Sequence, residues 1–519
     1  MAQILLDNPT RGSTTLLTSC VPSTTSSQLA DGTTPDDHTG DNAFNGSRKI
    51  KQWMVDQNAM NTELYGGVIF VSPSGSAATD DANIAAAFAT MAATSGNQVL
   101  MLAPGQYYSQ QKNVFTFAGT GQTNFWFIGN GAIINQNTNN VGIWEFQSPG
   151  TAGNAGLFFK GITWQYSAQQ TSSNTAAVCL GFRSTLSTDP NSNGLWHIFI
   201  DQCNCRLGYR GIANTQPVGH FPVWDIHISN CITGGLSGAA AYLSSPIATG
   251  APNISIENCE FGTFYLGGSE SLVVVTACDN LVLSCIEFLS VTAQSLFFLS
   301  SVAQSNINNC KCEGYVASGS ATPIISLADG ACTITGFRLN GLIIAGTARL
   351  ISMGATTIGS CVTVNNLSMS VASGTGTLTC FNGGSTVLFN VVGLPAVKSL
   401  GSGPATINLV DNGTATPNSL NVLAYQGGEM SDDMANTSMT FVGYVPGNVV
   451  GASSRVNVWN SMTVAQTLTL SNSAPYTNNL WDGAECHWIV TANCIANLTV
   501  SLQVPPSKIA TPGTWGKAR

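Results

Sequence analysis

A parallel β-solenoid is the fold class the sequence predicts, on three observations. First, short runs of alternating apolar residues recur from about residue 124 to 395, as in "LWHIFIDQCNC", "VWDIHISNCIT" and "PNISIENCEFG". A period in the twenties built from such runs marks stacked coils, because one coil cannot bury its inner face alone and neighbours give every backbone group a partner. Second, the repeat carries cysteines at Cys203, Cys231, Cys259, Cys285 and Cys310, spaced 28, 28, 26 and 25 residues apart, with Phe337 and Leu367 in the equivalent place later. Third, charged residues make up 8% of the 519, against about 25% in ordinary soluble domains. Gly, Ser, Thr, Asn and Ala fill the gap, as turns and neutral outer faces of β-rich repeats require. About ten coils at ~4.8 Å each would form a rod ~50 Å long.

The elements follow in order. Residues 1–46 are rich in Ser, Thr, Gly and Asp with little periodicity, and read as an extended N-terminal arm. In 47–66, Ile50, Trp53, Gln57, Met60 and Leu64 follow a 3-4-3-4 spacing. That is a coiled-coil seam with one polar position, either a helical neck between identical subunits or an amphipathic helix packed on its own domain. The solenoid is expected over 67–400. At its start, Thr79, Asp80 or Asp81 offers an N-cap for a helix over roughly 82–94, and a strand "QVLMLAP" follows. After about 400 the coils fade, and 401–519 reads as a sandwich-like C-terminal β-domain with a Pro/Gly-rich tail.

The segment "TDDANIAAAFATMAATSGNQVLMLAPGQYY" resembles the opening of the pectate-lyase-like right-handed parallel β-helix superfamily, with Asp80, Asp81, Pro104, Gly105 and Tyr107 matching. The layout of arm, neck, single-stranded β-helix and C-terminal β-domain resembles bacteriophage tailspikes. That resemblance implies a homotrimer attached through its N-terminus to a phage tail or baseplate, located in the virion and binding a bacterial surface polysaccharide. The Asp cluster of pectate lyases is missing, and "VGHFP" (218–222) lacks the Gly-His-Gly of polygalacturonases. Cleavage of the glycan, by hydrolysis or elimination, stays open. So do a non-catalytic virion appendage and a free polysaccharide lyase or hydrolase. A seam-bearing neck and a start without a signal-peptide pattern count against the last of these.

Composition excludes other classes. A net charge of −9 with no basic stretch argues against nucleic acid, and no run of about 20 apolar residues argues against membrane insertion. The start of the chain lacks a basic region and a long apolar core, so folding in the host cytoplasm with thiols mostly reduced is expected. The 15 cysteines form no CxxC pair and no zinc-ligand spacing, and no metal or cofactor is expected.

Alternation fixes which side chains face out. Around "HIFIDQC", "DIHISNC" and "ISIENCEF" the isoleucines and cysteines point inward. Asp201, Ser229 and Glu257 then form one outer column, His197 lies near Asp225, and Phe199 near His227. Asp201 and Glu257, two coils apart at ~10 Å between Cα atoms, stand close to the carboxyl spacing of an inverting glycosidase, about 6.5–9.5 Å. Asp201, Glu257 and Asp225 are therefore the catalytic candidates. Trp196, His197, Trp224, His227 and Glu260 are the glycan-binding candidates, the tryptophans offering rings for stacking on sugars. The same residues would also serve as plain solvated or subunit-facing polar groups.

Overall fold

The computed structural model describes residues 67–399 apart from short loops, and beyond 399 the backbone of a set of strands reaching residue 503. The expected arm (1–46) and neck (47–66) lie outside the described residues.

The chain is an all-β parallel solenoid with one helix among the described residues. Three parallel sheets run along it. The first begins with Val68–Val71 and Gln98–Leu102 and continues through Leu195–Asp201, Ile226–Ser229 and Asn253–Glu257 to Leu388–Val392. The second holds Gly105–Ser109, Asn204–Arg206, Ile232–Gly234, Glu260–Gly262 and their successors. The third holds Asn113–Thr116, Trp144–Ser148, Val178–Ser184, Arg210–Asn214 and Ala241–Ser244. The register keeps like with like. Ile198, Ile226 and Ile254 align, as do Ile200, Ile228 and Ile256, and all six are buried.

Beyond residue 400 the pairing does not change character. Thr406–Val410 pairs in parallel with Thr440–Gly443, which pairs with Gln466–Ser471, which pairs with Leu498–Gln503. These strands carry the third sheet onward.

The helix, α1 (Ala77–Ala93), starts earlier than the sequence indicates, with Ser76 at its N-cap. Ile84, Ala87, Phe88 and Met91 form its buried stripe. Phe88 meets Trp144, Phe115 and Phe127 edge-on, with centroids 5.1, 5.6 and 5.9 Å away, so α1 closes the first end of the core. Asp80 and Asp81 do not cap α1; they tie it to the neighbouring chain. Asp80 accepts from Ser74 N (2.7 Å) and Tyr108 N (2.9 Å), and Asp81 from Ser109 Oγ (2.6 Å), Gln110 N (2.9 Å) and Asn113 Nδ2 (2.8 Å).

The corner between the first and second sheets explains the cysteine repeat. One residue per coil turns the chain with positive φ: Gln202 (54°), Asn230 (53°), Asn258 (54°), Cys285 (54°), Asn309 (51°), Gly336 (67°) and Asn366 (54°). Asn and Gly tolerate that conformation best. The next residue points inward, giving a rung of Cys203, Cys231, Cys259, Ile286, Cys310, Phe337 and Leu367, all buried. Carbonyls along this rung accept from the next coil, as in Glu260 N to Cys231 O (2.9 Å), Glu287 N to Cys259 O (2.8 Å) and Lys311 N to Ile286 O (2.9 Å). Cys285 is thus displaced from the inner ladder the spacing assigned it; it is exposed at the corner, and Ile286 fills the rung.

Each inner thiol also donates back across its corner, from Cys231 to Ser229 O (3.2 Å), Cys259 to Glu257 O (3.2 Å) and Cys203 to Asp201 O (3.3 Å). Cysteine suits the rung because it is a small apolar group whose one weak donor adds to the backbone bond that the carbonyls of Ser229 and Glu257 already accept. Among the described residues the cysteines are free thiols. Burial pushes Cys203 and Cys310 up to about 12.

Candidate functional site

The outer side of the first sheet gathers most of the candidates. Parallel register aligns Asp201, Ser229 and Glu257 in one outward column and Phe199, His227 and Ser255 in the next. Asp201 Oδ1 accepts from Ser229 Oγ (3.0 Å) and Asn230 Nδ2 (2.8 Å), and its other oxygen lies 3.7 Å from Lys160 Nζ, one rung earlier. The column continues through Ser284, Asn308, Thr335 and Asn365. A ribbon of hydroxyls, amides and carboxylates therefore runs from Lys160 to Asn365.

Asp225 sits at the leading end of its strand, where both it and His197 have φ of 53°. Its carboxylate lies between two imidazoles. Oδ2 is in close contact with His197 Nδ1, and Oδ1 is 3.3 Å from His227 Nε2. His227 Nδ1 is 2.8 Å from Ser255 Oγ, so a chain of polar contacts runs His197–Asp225–His227–Ser255. A ring nitrogen facing a carboxylate donates to it, which fixes His227 with the proton on Nε2 and leaves Nδ1 to accept from Ser255 when the ring is neutral.

One of the glycan-binding candidates does not join this group. Glu260 follows the corner at Asn258 and belongs to the second sheet, stacked between Ile232 and Glu287. Trp224 lies outside the described residues. Trp196 is half-buried beside His197, ring centroids 6.3 Å apart.

Sequence reasoning caught only one step of an aromatic stack, Phe199 beside His227. Val99, Trp126, Phe158, Phe199 and His227 share one outward register. Trp126 and Phe158 stack at 4.1 Å and 10°, Phe158 and Phe199 at 5.0 Å and 4°, and Phe199 and His227 at 4.8 Å and 12°. The signal was present in "NFWFIG", "GLFFKG" and "HIFID", each with an aromatic residue at the same outward place. Parallel rings at this spacing cover one another's faces, so the stack shows its edges outward and offers little face for a sugar. Its role along this stretch is cohesion between coils. Polar side chains on the outer side of the third sheet, Lys112, Glu145, Arg183 and Arg210, were missed as well. Glu145, Arg183 and Arg210 come from separate strands and Lys112 from the residue just before another, with no shared motif.

No protein-family model matches the chain, and no curated protein matches it.

Proposed function

We propose that the chain is the subunit of a bacteriophage tailspike or tail fibre that binds a bacterial surface polysaccharide along its solenoid. One observation carries this reading, the polar ribbon of the first sheet: Asp201, Ser229, Glu257, Ser284, Asn308, Thr335 and Asn365 in one outward register. A linear array of hydroxyl, amide and carboxylate groups repeating every ~4.8 Å is the chemistry that answers a hydroxyl-rich polymer laid along the rod. It is poor chemistry for phosphate backbones or lipid. The finer parts of the proposal are a right-handed helix, three subunits meeting along their flanks, a pectate-lyase-like ancestry and virion attachment through residues 1–46. The apolar end of the same sheet supports the flank contact. There Phe70 is 63% exposed and Trp126 37% exposed, unusual for a surface outside an interface.

The geometry favours binding over cleavage at the first sheet. Asp201 is held by two hydrogen bonds and faces a lysine, which suits a fixed acceptor for sugar hydroxyls and not a proton donor. The test is to incubate the purified protein with surface polysaccharide from the host. Retention of the polymer by the protein, measured by co-sedimentation, is the expected result. New reducing ends or unsaturated sugars would add cleavage to it. Failure to retain polysaccharide from any susceptible strain would leave the non-catalytic appendage as the better reading.

A further inference from the structure

Three residues of the first sheet meet beside the polar ribbon in an order the ribbon does not use. Ser255 follows His227 by one rung in the outward register, and Asp225 stands two places before His227 on the same face. Ser255 Oγ lies 2.8 Å from His227 Nδ1, and His227 Nε2 lies 3.3 Å from Asp225 Oδ1. A hydroxyl, an imidazole and a carboxylate are thus joined in series, each within hydrogen-bond reach of the next. Phe199 precedes His227 in this register and Val282 follows Ser255, so the pair is bounded by apolar side chains along the sheet.

The imidazole is held in one orientation. Its ring lies flat against Phe199, centroids 4.8 Å apart at 12°, which fixes its plane. Asp225 accepts from Nε2–H, which fixes the tautomer and leaves the Nδ1 lone pair aimed at Ser255. Asp225 is held in turn, since its other oxygen is in close contact with His197 Nδ1. The carboxylate side chain is 15% exposed and that of His227 34%, and Ser255 is half-buried, so the hydroxyl end of the series is the end that meets solvent. The backbone is unusual at the same place. His197 and Asp225, both at φ 53°, occupy a left-handed position that Asn124 (63°) and Gly156 (74°) fill on earlier rungs. Residues that tolerate the conformation best give way there to an imidazole and a carboxylate, and unusual backbone of this kind concentrates at functional sites.

We infer that Ser255, His227 and Asp225 form a serine-centred acyl-transfer site that hydrolyses esters of small carboxylic acids. Such a constellation is recognised by geometry and roles, and it recurs on unrelated folds. The usual arrangement sets Nδ1 on the carboxylate and Nε2 on the serine. Here the nitrogens exchange places, which the chemistry allows, because it needs one protonated, held nitrogen and one basic nitrogen on the hydroxyl. As Ser255 Oγ bonds to the ester carbonyl carbon, its proton passes to Nδ1, and Asp225 stabilises the imidazolium. The bond to the alcohol oxygen then breaks, and the alcohol leaves with the proton from Nδ1, so that the acyl group stays on Oγ. Water attacks that acyl carbon and gives its proton to Nδ1. Oγ departs, takes the proton back, and the carboxylic acid is released. Asn253 shares the outward face two residues before Ser255. Its amide oxygen accepts from Asn280 Nδ2 (3.2 Å), and its own amide protons supply a donor for the oxyanion. Val282 on the following rung gives a short acyl chain an apolar neighbour.

This activity goes beyond polysaccharide binding and does not rest on it. The full-length protein is assayed with p-nitrophenyl acetate and, separately, treated with a fluorophosphonate probe whose adduct is located by peptide mass. Turnover of the ester and a single adduct, on Ser255, are expected. Ser255→Ala should lower kcat/KM at least about a hundredfold. Asp225→Asn should lower kcat with little change in KM, because it acts on the tautomer of His227 and not on the bound ester. Cys285→Asn should keep the parent's rate, which separates the site from an exposed thiol that activated esters also acylate. Circular dichroism shows that each variant has folded, and the probe adduct is read on the parent chain and needs no variant. An unlabelled Ser255, a folded Ser255→Ala variant with the parent's rate, a folded Asp225→Asn variant with the parent's kcat, or turnover that disappears in Cys285→Asn would each overturn the inference. Retention of host polysaccharide without ester turnover would refute this site and leave the proposed function standing, and turnover without retention would do the reverse.

Discussion

Replacing Cys285 with asparagine is expected to stabilise the solenoid, and the same replacement at Cys259 to damage it. The two residues occur in near-identical phrases, "SCIEF" and "ENCEF", yet the structure puts one in the corner and the other in the core. Cys285 is exposed with φ of 54°, a conformation that costs a residue with a β-carbon about 1–2 kcal/mol and that asparagine relieves in part. A gain of ~0.5–1 kcal/mol follows for Cys285→Asn. Cys259 is 2% exposed, and its thiol donates to Glu257 O at 3.2 Å. An amide there brings two donors and an acceptor into a site with one partner. At about 1–3 kcal/mol per unmatched group, the loss reaches ~3 kcal/mol or more. Urea midpoints measured by tryptophan fluorescence on the full chain should therefore move in opposite directions. Iodoacetamide labelling of the native protein, mapped by peptide mass, should mark Cys285 and spare Cys203, Cys231, Cys259 and Cys310. If Cys285→Asn lowers the midpoint as far as Cys259→Asn, or if Cys285 resists labelling, the corner assignment is wrong and the thiol lies inside.

Other expectations follow from the same geometry. Asp81→Ala removes the acceptor for Ser109 Oγ, Gln110 N and Asn113 Nδ2, which should cost ~3 kcal/mol or more and lower the thermal midpoint; an unchanged midpoint would mean α1 is not pinned through this group. Thiols such as Cys203, Cys310 and Cys332 rise from 9.0 to about 12 through burial. The folded chain then holds protons that the unfolded chain has released, so the urea midpoint should be insensitive to these groups below pH 9 and fall between pH 9 and 12; a midpoint that rises in that window would contradict the burial. Phe158→Glu places a charge inside the outward ring stack and against the proposed flank contact. Light scattering should show a smaller assembly than the parent, and an unchanged assembly would remove the first sheet from the proposed subunit contact.

The parts of the fold that could be read from sequence are those governed by alternation. Ile198, Ile226 and Ile254, and the outward Asp201, Ser229 and Glu257, repeat at a constant interval of 28, so period alone sets their register. The reading failed at Cys285 because it aligned cysteine with cysteine instead of corner with corner. Once coils shorten, "CIEF" must slide by one so that Ile286 meets Cys259. Asp80 and Asp81 looked like caps because caps are local, and apart from Ser74 their partners stand 28 to 32 residues away. The charged pairs of the third sheet were unreadable for a related reason. Arg210 and Glu270 are 60 residues apart and Lys112 and Glu145 are 33 apart, and only the three-sheet register brings them to one face.

Whether the first sheet cleaves what it binds turns on Glu257. A two-carboxylate mechanism needs one group able to give a proton and another able to take one across a single linkage. Asp225 is engaged by two imidazoles, and Asp201 by Ser229, Asn230 and Lys160. Both are engaged as acceptors by these partners, which suits them to hold hydroxyls. Among the three candidates Glu257, two rungs from Asp201, is the one whose carboxyl has no such partner among the described residues, and it is the one to test as the acid. Glu257→Gln, which keeps a polar group in the ribbon, should accordingly end any release of reducing ends while weakening retention less than Asp201→Asn, which disturbs the acceptor held by Ser229 and Asn230. Persistent cleavage in Glu257→Gln would move the chemistry off this sheet.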